Sequence, residues 1–178
     1  MNETDRTRRF EAAVLPHLDT AYNLARWLLR NEQSAQDVVQ EAYLRAFRFF
    51  DGFRGGDARP WLLSIVRNAC FTWLGQNGRD AIEFDEAHHG NTRDTPDALA
   101  VNDPLHLLER KYERMQVNAA IAALPPLFRE ALILRELEEL SYDEIAQVAG
   151  IPLGTVMSRL SRARAMLRAT LTSTGIEE

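Results

Sequence analysis

Apolar side chains recur three and four residues apart along most of the chain, the period of a helix with one buried face. Between residues 6 and 30 they fall at Ala13, Val14, Leu18, Ala21, Leu24, Ala25 and Leu28, with Pro16 marking a break or kink. A second helix is predicted from Ser34, which caps it with Asp37 at the third helical position. Its stripe is Ala35, Val38, Val39, Ala42, Ala46 and Phe50. A third opens at Pro60, where a missing N–H costs nothing, and carries Trp61, Leu62, Ile65, Val66, Ala69, Cys70, Trp73 and Leu74. After residue 104 the period returns: one helix from Leu105 to about Ala123, stopped by Leu124-Pro125-Pro126, and another from Pro126 to about Glu138. Ser141 and Glu144 form a capping box for a short helix that ends at Gly150, and a last helix spans about Thr155 to Thr172. No alternating run of β-branched residues bounded by turns is present, so the fold class is all-α.

The period lapses between residues 79 and 104, where "RDAIEFDEAHHGNTRDTPDALAVNDP" is polar and contains Gly90, Pro96 and Pro104. Charge sharpens this boundary. The chain is net −5, and residues 80–109 alone are net −7, whereas 1–79 are net +2 and 110–178 are neutral. The expected organisation is two small helical domains, 1–80 and 109–174, joined by an acidic linker over 81–108. With 46% apolar residues in 178, the chain can bury a core, and its apolar runs are too short for a membrane span. The charged N-terminus MNETDRTRRFEAAV lacks the apolar stretch of a signal peptide, so a cytoplasmic protein is expected. Cys70, the one cysteine, falls on an apolar stripe and is expected to be a small core residue rather than a nucleophile. Twenty of the 21 basic residues are arginine; this suits contacts to phosphate, although a GC-rich genome produces the same bias.

Residues 142–160 fit a helix-turn-helix. Ala146 is small where two helices must touch, Gly150 supplies the positive φ of the turn, and Val156 plugs the second helix into the core, with Ile145, Ile151 and Leu160 completing the apolar set. On the last helix Val156, Leu160, Ala163 and Leu167 share one face; at about 100° per residue, Ser158, Ser161, Arg162 and Ala165 point away from it, flanked by Arg159 and Arg164. Small and hydroxyl side chains beside arginines suit insertion into a major groove, where arginine reads guanine and serine holds phosphate.

This stretch also resembles a family. "LPPLFREALILRELEELSYDEIAQVAGIPLGTVMSRLSRARAML" is similar to region 4 of bacterial sigma factors of the extracytoplasmic-function (ECF) group. Independently, "QDVVQEAYLRAFRFFDGFRG" resembles the core helix of sigma region 2, and "WLLSIVRNACFTWL" its promoter-melting helix. The resemblance implies that Asp37, Gln40 and Glu41, which the helical spacing also places on one face, dock on the clamp helices of the RNA polymerase β′ subunit, with the β flap as a second contact. It implies that the loop "DGFRGGDARP" and the helix after it hold the melted −10 element, with Phe53, Arg54, Arg59, Trp61, Arg67 and Asn68 as candidates. Aromatic and basic groups suit a single strand, although Trp61 serves equally well as core. The −35 duplex falls to Thr155, Ser158, Arg159, Arg162 and Arg164. Met157 departs from the lysine or arginine common at its position; it either meets a thymine methyl or fills the core edge. The resemblance further implies promoter DNA and core RNA polymerase as partners, an anti-sigma factor as regulator, a monomer, and no cofactor. The acidic linker is either a solvated tether or a mimic of nucleic acid in a positively lined channel.

Two other classes compete. A helix-turn-helix regulator of another kind has no need of the Asp37-Gln40-Glu41 face or the "WLLSIVRN" helix. An enzyme would have to use Asp85, Glu86, His88, His89 and His106 as a metal cluster, yet these lie in an irregular stretch without the spacing of metal ligands. A non-enzymatic, DNA- and polymerase-binding subunit is therefore expected, with neither metal nor catalytic residues.

Overall fold

The computed structural model describes residues 2–77 and 103–175. Among them every regular element is helical. Most of the acidic stretch, residues 80–102, and four of the five residues considered as metal ligands (Asp85, Glu86, His88 and His89) lie outside the described residues.

The first group is four helices: α1 (Glu3–Val14), α2 (Leu18–Leu29), α3 (Glu32–Phe49) and α4 (Ala58–Asn77). Pro16 does break the first apolar period, sitting in a single 3-10 turn, Leu15–His17, that lets α2 leave in a new direction. Arg30 adopts a left-handed conformation (φ 58°) that ends α2, and Asn31 follows as the true cap of α3. Its side-chain oxygen accepts the Ser34 N–H at 2.8 Å, so the expected Ser34–Asp37 cap does not form. Asparagine in an extended conformation directly after a left-handed residue out-competes a serine already inside the first turn. The helix expected to open at Pro60 instead begins two residues earlier: Asp57 accepts the Arg59 N–H at 2.9 Å, and Pro60 falls within the first turn, where no intrahelical acceptor awaits its nitrogen. The sequence reading omitted Phe10, which is fully buried and meets Tyr43, Phe47 and Phe50 edge-on at 5.0, 5.1 and 5.3 Å. That geometry places ring edges against ring faces, the favoured aromatic arrangement.

The second group comprises α5 (Pro104–Ala122), α6 (Pro126–Leu132), α7 (Tyr142–Ala149) and α8 (Leu153–Ser173). Asp103 caps α5, accepting the Leu105 N–H at 3.1 Å, so helix begins inside the stretch read as linker to residue 108. Residues Ile133–Leu137 prolong α6 as a π-type turn, closed by the Glu138 N–H on the Ile133 carbonyl. The capping box of α7 forms in full: the Ser141 hydroxyl accepts the Glu144 N–H at 3.1 Å, and the Glu144 carboxylate accepts the Ser141 N–H at 2.7 Å. Gly150 has φ 65° and ends α7, and the Ile151 N–H returns to the Ala146 carbonyl as in a Schellman turn. The last helix starts two residues before the expected Thr155, because the Pro152 carbonyl already accepts the Thr155 and Val156 N–H groups.

The two groups are not separate bodies. Their buried side chains form one continuous apolar cluster, with α4 against α7 and α2 against α6. Arg129 on α6, 3% exposed, spans the seam: it donates to the Ala122 and Leu124 carbonyls at 2.7 and 3.1 Å and to the Leu28 carbonyl of α2 at 3.0 Å. Burial, and then the nearby Arg30 charge, push its pKa down to about 10, leaving it cationic at neutral pH. Among the described residues, no helix is long and apolar enough to cross a membrane.

Candidate nucleic-acid interface

On α3 the apolar stripe (Ala35, Val38, Ala42 and Ala46) is buried, and the spacing that buries it turns Asp37, Gln40 and Glu41 outward together. All three are exposed. Glu41 pairs with Arg45 one turn on at 3.3 Å, and the Gln33 amide donates to Asp37 at 3.2 Å. These are surface contacts within one helix, worth a few tenths of a kcal/mol each, and they leave the face available.

The −10 candidates divide. Phe53 and Trp61 are partly buried and pack on each other (5.0 Å between ring centroids) and on Phe50 (5.9 and 6.3 Å), so both rings help to close the aromatic core of the first group. Arg54 is exposed on the loop before α4, where Gly55 and Gly56, both at φ 88°, make the turn. Asn68 is exposed, its amide oxygen accepting from Arg67 at 3.3 Å. Arg59 and Arg67 point at the second helical group. Arg59 reaches Glu144 at 3.2 Å, and its other nitrogen donates to the Glu138 carbonyl at 3.4 Å. Arg67 forks onto Glu130, with Nε to Oε1 at 2.6 Å and Nη2 to Oε2 at 3.4 Å, and lies over the Phe71 ring at 4.2 Å.

On α8 the expected faces hold. Val156, Leu160 and Ala163 are buried, whereas Ser158, Ser161, Arg162 and Ala165 are exposed. Met157 is exposed as well, at 48%, and Thr155 is partly so, near the start of the helix. Arg164 pairs with Glu136 at 2.7 Å; hydrogen bonds to Glu136 and then Tyr142 raise its pKa. Arg159 is partly buried; its Nη1 has no hydrogen-bond partner, and its charge favours the ionised form of Glu130. The helix therefore presents a basic and hydroxyl-bearing surface on the side opposite its buried stripe.

The acidic residues that meet these arginines are Glu130, Glu136, Glu138 and Glu144; the sequence marks Glu144 only as a capping residue and gives the other three no contact. Glu130 is 1% exposed. Burial pushes its carboxyl up while the Arg67 guanidinium pulls it back, and the net direction is upward. Glu144 is held below the ordinary range, first by the Ser141 backbone N–H and further by Arg59. Glu138 accepts from the Asn23 amide of α2, another bond across the seam. One signal was available. In "PLFREALIL" the apolar residues leave α6 no polar face, so the Arg129-Glu130 pair inside it had to be buried and partnered. The four glutamates span α6 to α7, and none forms a cluster suited to a metal among the described residues.

The described residues thus set an exposed polar face on a four-helix unit alongside a helix-turn-helix whose last helix is basic on its outer side. Comparison with known proteins narrows the class. Residues 13–80 match the model of Sigma-70 region 2, and residues 114–167 that of Sigma-70, region 4. The ECF RNA polymerase sigma-E factor of Escherichia coli is 39% identical over 136 residues, covering 72% of this chain and 69% of its own. The ECF RNA polymerase sigma factor SigE of Mycolicibacterium smegmatis is 32% identical over 160 residues, covering 89% of this chain; the chain spans 60% of that relative's length. In three dimensions the sigma factor RpoE of Bartonella quintana, solved in complex with the anti-sigma factor NepR, superposes with a TM-score of 0.68 at 26% identity, over 93% of this chain and 98% of that one. The chain belongs to the ECF family of RNA polymerase sigma factors, which are transcription initiation factors.

Proposed function

We propose that this chain binds core RNA polymerase and directs initiation at promoters that it selects through their −10 and −35 elements. In this reading Asp37, Gln40 and Glu41 dock on the β′ clamp helices, and the region 4 unit rests on the β flap. Arg54, Arg59, Arg67 and Asn68 handle the −10 strand, with Phe53 and Trp61 shaping the wall beneath it. Thr155, Ser158, Arg159, Arg162 and Arg164 meet the −35 duplex. The observation that supports it most is the presence, in one chain with both sigma regions in order, of two independent outward faces: the acidic-amide face of α3 and the basic face of α8. A net-acidic chain suits this division of labour, since polymerase supplies much of the nonspecific phosphate affinity and the sigma factor supplies selectivity. An anti-sigma factor is the expected regulator, a partner of the kind seen with the Bartonella protein, and the cytoplasm the expected location.

Two substitutions separate the faces. Arg162→Ala is expected to lose about 1–3 kcal/mol of promoter discrimination while polymerase binding stays unchanged. Glu41→Lys is expected to impair holoenzyme assembly while the folded chain keeps its thermal stability, because the residue is exposed. Equal loss of both activities in Arg162→Ala, or normal assembly by Glu41→Lys, would contradict the assignments.

A further inference from the structure

The outer surface of α8 is not uniform. Over its first three turns Leu153, Gly154, Met157, Ser158, Ser161 and Arg162 are exposed, and the only charge among these six is Arg162. At about 100° per residue, Ser158 and Arg162 lie toward one side of this surface, and Leu153 and Met157, one turn apart, lie toward the other. Leu153 is 40% exposed and Met157 48%, although both border the buried stripe; the core beneath them is supplied by Val156 and Leu160, at 0% and 1%. Arg164, which follows Met157 on the same side two turns later, has its guanidinium paired with Glu136 at 2.7 Å. The leading end of this side is therefore apolar and turned to solvent.

A methionine side chain has no hydrogen-bond donor and only a weak acceptor sulfur, so it cannot answer the polar pattern that adenine, guanine or cytosine shows in the major groove. The one apolar group that a base presents there is the C5-methyl of thymine. Methionine is unbranched and adjusts its torsions to fit such a contact. In a helix-turn-helix the first residues of the second helix are the ones that reach base edges, and Met157 is the fifth residue of α8. We propose that Met157, with Leu153 one turn before it, reads the C5-methyl of a thymine in the −35 duplex. One base pair of the promoter is thereby fixed through an apolar contact, while Ser158 and Arg162 make hydrogen bonds on the other side of the helix. The proposal rests on the reading of α8 as the −35 helix. An exposure of 48% rules out the edge of the core, the other role open to Met157.

The test uses the full chain assembled with core RNA polymerase and a library of promoter fragments randomised across the −35 region. The fragments retained by the holoenzyme define the element. Each thymine in it is then replaced singly by deoxyuridine, which removes the C5-methyl and leaves base pairing unchanged, and binding is read by competition. At one thymine, loss of the methyl is expected to weaken binding by the native chain about fourfold, the effect of one buried methyl-sized group. The same replacement is expected to leave binding by Met157→Ala unchanged, and Met157→Leu is expected to keep the sensitivity. Alanine and leucine are both good helix formers at this exposed position, so each variant retains α8. In the selection, Met157→Arg is expected to move the preference at that base pair from thymine toward guanine. An equal response of the native chain and Met157→Ala to every deoxyuridine, or no response from either, overturns the assignment. Assembly and selective enrichment in the same samples would then leave the −35 reading standing. If the chain fails to assemble or enriches no sequence, that reading fails, and the role of Met157 falls with it.

Discussion

Glu144 serves two neighbours at once: it closes the capping box of α7 on the Ser141 N–H and receives Arg59 from α4. Both contacts favour its charged form, so its folded pKa lies below the ordinary value of 4.5. For a carboxylate with a depressed pKa, the contribution to stability is fully present above the unfolded value and is lost as pH falls through the folded one. The stability difference between the native chain and Glu144→Gln is therefore expected to be largest near neutral pH and to shrink below pH 4.5, as read by urea unfolding at a series of pH values. A difference that grows on acidification would contradict the assignment. Ser141→Ala, which removes the other half of the box, is expected to cost about 1 kcal/mol, the usual cost of losing an N-cap hydroxyl, and the same urea titration measures it. Residues of this kind, whose partner lies three positions away, were legible from the sequence: Ser141, Glu144 and Gly150 each serve a local turn geometry, and local geometry is written in adjacent letters.

At the scale of the element, apolar spacing located the eight α-helices of the described residues and the buried stripes of α2, α3, α4 and α8, since a stripe three and four residues apart has one way to hide from water. The ends were less legible. Ser34 and Asp37 satisfy the pattern of a cap as well as Asn31 does; the deciding feature is the left-handed Arg30 before it, which no propensity marks. Phe10 escapes notice because most of α1 before it is polar, and Phe10 and Val14 are its two fully buried residues. Its ring is nonetheless the hub of the first aromatic cluster. Phe10→Ala is expected to destabilise the protein by about 3–5 kcal/mol in urea unfolding, the cost of a buried phenyl cavity. A loss under about 1 kcal/mol would mean that α1 is dispensable to the core.

At the scale of the whole molecule, the contacts that matter most lie far apart in the chain. Arg67 meets Glu130 across 63 positions, and Asn23 meets Glu138 across 115. Such pairings leave no mark in local spacing, which is why the candidate arginines were legible and their pairing with Glu130 and Glu144 was not. The docked arrangement also sets the terms of function. The α3 face and the outward face of α8 are exposed while the two groups are together, whereas Arg59 and Arg67 are engaged at the seam. The surfaces read as polymerase-facing and −35-facing are thus presented in the closed chain, and the −10 arginines are not. In the proposed function, one chain serves polymerase with one face and promoter DNA with the others. The measurement that tests it most directly is run-off transcription on genomic fragments by core RNA polymerase, with and without the purified full-length chain. The account predicts stoichiometric assembly with the core enzyme and new, discrete start sites that appear only when the chain is present. No assembly and no new start sites, with the chain verified as folded and free of bound partners, would contradict it.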